Sequence, residues 1–333
     1  MEVSVFVPSH ITGFFTICEN KDPLKKGSCG AGLLIDKGVT TTIKVISDSS
    51  NYENPIDIKI NGNKDSKNEI IIIKTLELLK RNFPLEELFK NIAKNNETIA
   101  KNNEIITKNN YHISIEAKIE VPIGAGFGTS AACALGIALG FGKLLNLPIT
   151  ETTQIAHLAE ISLGSGLGDV IGQTSKGLVL RKSPGAPGIG ETESIISSTK
   201  SNETGNSDSY RDFSEIYVLT KTFGEIDTSS IIGNQKYKKD INNIGIAMEK
   251  EILSNPNLEN FMKLSYEFAK KTKLMNKDLL KVVDGLKENN IESSMAMLGN
   301  TVFAVIEEKN LGKIKNLDEF LISKIYTDGI KFL

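Results

Sequence analysis

Residues 122–132 read Pro-Ile-Gly-Ala-Gly-Phe-Gly-Thr-Ser-Ala-Ala and run into an apolar stretch that continues to Leu147. Gly124, Gly126 and Gly128 let the backbone turn tightly and approach an anion, because no Cβ stands in the way. A helix opening near Ser130 would bring unpaired N–H groups and the positive end of its dipole to the same place. The Ser130 hydroxyl can reach a phosphate oxygen or a bound metal ion. No Lys follows as in a Walker A loop, and the third glycine comes one residue too early for the dinucleotide fingerprint. The segment predicts a phosphate cradle; on the residues alone the competing reading is an ordinary buried turn.

The helix after Ser130 is apolar nearly all round, which predicts a central, buried position. Lys143 interrupts it, Gly136, Gly140 and Gly142 punctuate it, and it falls short of the ~20 residues that span a bilayer. With 39 Lys and Arg against 41 Asp and Glu, the 333-residue chain has no global field favouring nucleic acid or anionic lipid. Cys18, Cys29 and Cys133 show no pairing or metal-binding spacing. They read as small apolar residues in a reducing, cytoplasmic setting. The start, Met1-Glu-Val-Ser-Val-Phe-Val-Pro8, is expected to be a strand broken by Pro8 rather than a signal peptide.

Along the chain, Val3–Val7 predicts a strand and Ser9–Gly13 a turn, followed by strands over 30–36 and 39–46. Glu69 to Phe83 has helical spacing and stops ahead of Pro84. Residues 94–110 repeat Lys-Asn-Asn with too little apolar content for a core, so a peripheral helix or loop is expected. Tyr111–Ile119 alternates as a strand. Glu151–Leu163 predicts a second helix, Gly177–Arg181 a strand, and 190–212 a flexible insertion. Beyond a strand from Ile216, helices are expected over 241–253, 258–271, 277–287 and roughly 291–307, with a short strand last. Strands and helices mix without strict alternation, which indicates an α+β fold.

Several side chains stand out. Asp169 follows Gly164-Ser-Gly-Leu-Gly168, where backbone can pack beneath a ligand and a short carboxylate can face a cleft. On the residues alone, a helix- or turn-capping Asp is the favoured reading. Glu160 lies among Ala156, Ala159 and Leu163 and needs a partner, either Lys or Arg in an ion pair or Mg²⁺. Arg181 suits forked recognition of a carboxylate, or is a surface residue beside Ser183–Gly188. Ser28 is either a substrate hydrogen-bond donor or a turn residue. His112 and His157 lack metal-site spacing and read as structural. Lys21 and Asp22 precede a Pro in a loop without an assigned role.

Pro122, Gly126, Gly128, Thr129, Ser130, Ala131 and Ala132 match the phosphate-loop signature Pro-x-x-x-Gly-x-Gly-(Ser/Thr)-Ser-Ala-Ala. The chain thereby resembles the kinase superfamily of galactokinase, homoserine kinase, mevalonate kinase and phosphomevalonate kinase, the GHMP kinases. Phe6-Val-Pro-Ser-His-Ile-Thr-Gly-Phe-Phe15, Gly27-Ser-Cys-Gly-Ala-Gly32, Ser183-Pro-Gly-Ala-Pro-Gly188 and Ala296-Met-Leu-Gly-Asn-Thr-Val-Phe-Ala304 are similar to blocks of its archaeal pantoate kinases. The block after Ala296 keeps one glycine where many superfamily members carry a glycine-rich motif.

The resemblance implies an N-terminal domain like domain 2 of ribosomal protein S5 (1–182), a connecting loop and insertion (183–213), and a C-terminal ferredoxin-like domain (214–333). It also implies ATP and Mg²⁺. Pro122, Gly124, Gly126, Gly128, Thr129, Ser130 and Ala131 would hold the nucleotide, and Glu160 with Ser130 the metal. Asp169 would serve as base, and Ser28, Arg181 and His10 would line the pantoate pocket. It implies a small-molecule substrate with neither nucleic acid nor membrane as partner, and leaves a homodimer open.

Overall fold

The computed structural model describes residues 1–47, 56–65, 67–84, 111–195, 213–225 and 235–333. The 94–110 repeat and residues 196–212 of the second insertion lie outside them. The architecture is α+β, built on two sheets.

The first sheet is seven-stranded. Strand β1 (Glu2–Cys18) pairs along its length with β2 (Gly27–Ser47), antiparallel. The expected Ser9–Gly13 turn is absent: Pro8 and Gly13 mark register shifts at Pro8/Ser9 and Thr12/Phe14, and the strand carries on through both. Bulges of this kind bend a strand without ending it. The second half of β2 pairs with β4 (Tyr111–Ile119), which takes β3 (Ile56–Ile60) in parallel on its far side. The first half of β2 pairs with β5 (Leu178–Ser183), and β5 with β6 (Glu191–Ile195). Thus the start of the expected flexible insertion is a strand.

Helix α1 (Ile70–Asn82) ends at Phe83, ahead of Pro84, as its spacing indicates. Helix α2 (Thr129–Leu145) is buried at every position from Ala131 to Gly142, so that stretch has no exposed face, and it lies against β1 and β2. A Cβ on Gly136 would stand 2.2 Å from Thr41 Oγ1, so the glycine sets how closely helix and sheet approach. Helix α3 (Ile149–Leu163) packs beside α2, and the single-turn α4 (Asp169–Gln173) follows the glycine run. Among the described residues no helix is long and apolar enough to cross a membrane.

The second sheet has the order β10-β7-β9-β8, from β7 (Ile216–Thr222), β8 (Ser293–Met295), β9 (Thr301–Glu307) and β10 (Leu321–Lys324). The helix expected over 291–307 is in fact the β8–β9 hairpin. Helices α5 (Gln235–Ser254), α6 (Leu258–Thr272) and α7 (Lys277–Lys287) accompany this sheet. Asn257 and Asn276 cap α6 and α7 by accepting from backbone N–H groups of the first turn. The final strand β11 (Lys331–Phe332) returns to the first sheet beside β1. Phe14 and Phe15 of β1 meet Phe268 of α6, and Phe14 also meets Phe261, with centroids 5.9–6.4 Å apart. One apolar core therefore joins β1 to the second sheet and its helices.

Candidate active site

The phosphate loop leaves β4 and enters α2 through three left-handed glycines, Gly124, Gly126 and Gly128, at φ 70°, 90° and 65°. Side chains avoid that region, so the glycines are conformationally required. Gly128 is the N-cap of α2, and no side chain caps the helix, so its first N–H groups face the cleft. Three contacts hold the loop: His10 N–H donates to Phe127 O (3.0 Å), Gln173 Nε2 donates to Gly128 O (2.9 Å), and Gly299 packs on Ala125 and Gly126. A Cβ on Gly299 would lie 2.1 Å from Ala125 O, so the lack of a side chain there is what lets this turn pack directly on the loop.

An open cleft of about 700 Å³, counting space continuous with solvent, runs along the loop. Gly124, Gly126, Gly128, Thr129, Ser130, Glu160, Asp169, Ser28 and Arg181 all line it. Pro122 is exposed beside the loop and Ala131 is buried under it; neither lines the cleft. His10 is also fully buried, behind Asp169 rather than against the cleft.

Glu160 is 2% exposed. Its Oε1 accepts from Ser130 Oγ (2.5 Å) and Ser165 Oγ (2.7 Å), and no described Lys or Arg pairs with it. Burial pushes its carboxyl up to about 7, more than the two hydroxyl bonds lower it. Gly166 separates it from Asp169: a Cβ there would be 2.1 Å from Glu160 Oε2 and 3.6 Å from Asp169 Oδ2. Among the described residues no group of three His, Cys, Asp or Glu side chains could hold a metal. A single buried carboxylate beside a serine at a phosphate loop instead fits Mg²⁺, which takes one or two carboxylates with phosphate oxygens and water.

Asp169 Oδ1 lies 2.7 Å from His10 Nδ1, and His10 Nε2 lies 3.3 Å from Arg181 Nη1. Burial would raise Asp169, but the His10 hydrogen bond and the Arg181 charge outweigh it and hold the carboxyl below its ordinary value. Burial likewise lowers His10 and Arg181. Arg181 is 3% exposed, and among the described residues nothing accepts from its Nε. Gly168 opens the space over it, since a Cβ there would meet Ser28 Oγ at 2.2 Å and Arg181 Nε at 2.8 Å.

Sequence reasoning missed Ser165, which lies within the glycine run before Asp169, where a serine is ordinarily a turn residue. It also missed Thr12, Phe15, Met297 and Leu298, which line the cleft from β1 and the β8–β9 turn. Leu298 holds φ 62°, a costly conformation for a branched side chain, at the cleft wall. His157 Nε2 lies 3.1 Å from both Pro23 O and Lys26 O, tying α3 to the loop before Ser28. Cys18 and Cys29, distant by any simple spacing rule, come within 3.8 Å.

Residues 87–177 match the GHMP kinases N terminal domain. The chain is 36% identical to a pantoate kinase of Methanocaldococcus jannaschii over 307 residues, covering 92% of this chain and 94% of the relative. This chain belongs to the pantoate kinase family of GHMP kinases. A pantoate kinase of Thermococcus kodakarensis is 30% identical across 99% of this chain and 98% of its own. A solved phosphotransferase related to the CoA biosynthesis pathway superposes with a TM-score of 0.79 at 28% identity, covering 100% of this chain and 99% of its own. The α+β fold of these kinases is thus the fold described above.

Proposed function

We propose that this protein transfers the γ-phosphoryl group of ATP to the terminal hydroxyl of (R)-pantoate, giving (R)-4-phosphopantoate for coenzyme A synthesis. The observation that carries this reading is the convergence on one cleft of the phosphate loop, the Glu160–Ser130 pair, Asp169 and a buried arginine with a free donor. Phosphoryl transfer asks a protein mainly to position the reactants and to neutralise charge.

The N–H groups of the loop and the open end of α2 receive the triphosphate. Glu160 and Ser130 would hold Mg²⁺, which when bound neutralises charge on the phosphate oxygens. Asp169, kept ionised, orients the attacking hydroxyl and takes its proton. Arg181, with Ser28 beside it, receives the pantoate carboxylate; its unpaired Nε and planar fork suit that group. The three thiols support a cytoplasmic setting.

The test is ADP release from ATP and Mg²⁺ with a panel of pantoate, homoserine, mevalonate and a hexose. Turnover confined to pantoate is expected. Turnover with another member and none with pantoate overturns the substrate assignment.

A further inference from the structure

His10 does not touch the cleft, yet its imidazole and backbone reach three parts of the machinery. Its N–H donates to Phe127 O of the phosphate loop, Nδ1 meets Asp169 on α4, and Nε2 meets Arg181 on β5. We propose that His10 is a positioning residue, a neutral imidazole that fixes the base Asp169 through one ring nitrogen and the substrate anchor Arg181 through the other. This inference rests on the reading of Asp169 and Arg181 given above.

The protonation pattern follows from the partners. A guanidinium can only donate, so the Nε2 facing Arg181 must carry a lone pair. The ring proton therefore sits on Nδ1 and is donated to the Asp169 carboxylate. Thr12 Oγ1, 3.5 Å from Nδ1, is a more distant neighbour than Asp169 at 2.7 Å. The titratable and charged groups facing the ring are Asp169 and Arg181, and burial adds to the preference for a neutral ring.

The surroundings fit the ring closely. A Cβ on Gly32 of β2 would stand 2.3 Å from His10 Nε2, and one on Gly172 of α4 would stand 3.0 Å from Cε1 and Nε2. A larger residue at either place would displace the imidazole. Held between Asp169 and Arg181, it sets the carboxylate toward the hydroxyl and leaves Arg181 Nε for the substrate. A static frame of this sort is how a group outside the cleft affects the chemistry within it.

The experiment separates the two nitrogens. The amide of His10→Asn reaches the Nδ1 position and can donate to Asp169, whereas that of His10→Gln reaches the Nε2 position and can accept from Arg181. With pantoate and Mg–ATP, His10→Ala should lower kcat and raise the pantoate KM, each by about tenfold or more. His10→Asn should recover kcat more than KM, and His10→Gln should recover KM more than kcat. A structural role alone gives losses that follow thermal stability and show no such division; that result, or near-wild-type kinetics in His10→Ala, overturns the proposal.

Nitrogen-15 NMR of the histidine-labelled wild-type protein supplies a readout without turnover or mutation. One imidazole should remain neutral and protonated on Nδ1 from about pH 5 to 8. A His10 ring protonated on Nε2, or charged in that range, overturns the assignment. Failure of the wild-type enzyme to phosphorylate pantoate would count against the substrate reading, while the NMR result would still judge the ring's place in the frame.

Discussion

Among the described residues the Glu160 carboxyl meets only the Ser130 and Ser165 hydroxyls, and burial pushes it up to about 7, so without an ion it holds its proton above the ordinary carboxylate range. In the unfolded chain it releases that proton near 4.5. The folded state thus binds the extra proton between these values, and stability must fall as pH rises across that window and level off above it. Glu160→Gln has no charge to bury, so thermal melts in chelator should show it gaining on wild type as pH rises from about 5 to 7. Parallel curves would remove the buried carboxylate as the cause. The same variant should weaken Mg–nucleotide binding. Asp169→Asn should leave nucleotide binding nearly intact and lower turnover roughly a hundredfold or more; kcat with calorimetric ADP binding checks this, and near-wild-type turnover would remove Asp169 as the base. Arg181→Ala should raise the pantoate KM tens-fold, on the order of 2 kcal/mol, while the ATP KM moves much less. Arg181→Lys should recover only part, because charge returns without the fork. An unchanged pantoate KM would reopen the choice of substrate.

Elements were legible where the sequence carries a local signal. The glycines and Ser130 mark the loop and the start of α2, Pro84 marks the end of α1, and the amphipathic spacing of α6 and α7 gives both helices. The β8–β9 hairpin was not, because its apolar residues fall in two short runs, Met295 to Leu298 and Val302 to Ile306, and such runs fit a buried strand or a buried helix equally. Its Gly299-Asn300 and the β-branched Thr301, Val302, Val305 and Ile306 are the features that favour strands. The hairpin matters to the site because its turn carries Leu298 into the cleft and Gly299 under the phosphate loop. Gly299→Ala would force a methyl against Ala125 O, and backbone there has to shift. The expected result is a several-fold or greater rise in the ATP KM, a smaller change for pantoate, and a loss of about 1–3 kcal/mol in stability. Unchanged ATP kinetics would show that the loop does not depend on this support.

Across the whole molecule, the contacts that make the site join residues far apart in the chain: His10 and Asp169 are separated by 159 positions, and His10 and Arg181 by 171. No local pattern encodes such pairings, which is why the residue types at the site were readable and the frame behind them was not. Strand β1 is the element on which these distances close. Its middle carries His10, while Phe14 and Phe15 near its end enter the core shared with α6 and the second sheet. The sequence suggested a division near residue 182, yet β1 packs into both parts and β11 brings the chain back beside it. We therefore expect the two sheets to unfold together. Phe268 is fully buried against Phe14 and Phe15, and Phe268→Ala should cost about 3–5 kcal/mol through lost burial and the cavity left behind. In calorimetry the wild type should give one transition, and the variant one transition at lower temperature. At temperatures where the variant stays folded, its kcat should remain close to wild type, since Phe268 does not line the cleft. Two separate transitions in either protein, with only one responding to the substitution, would show that the halves are independent and that β1 belongs energetically to one of them.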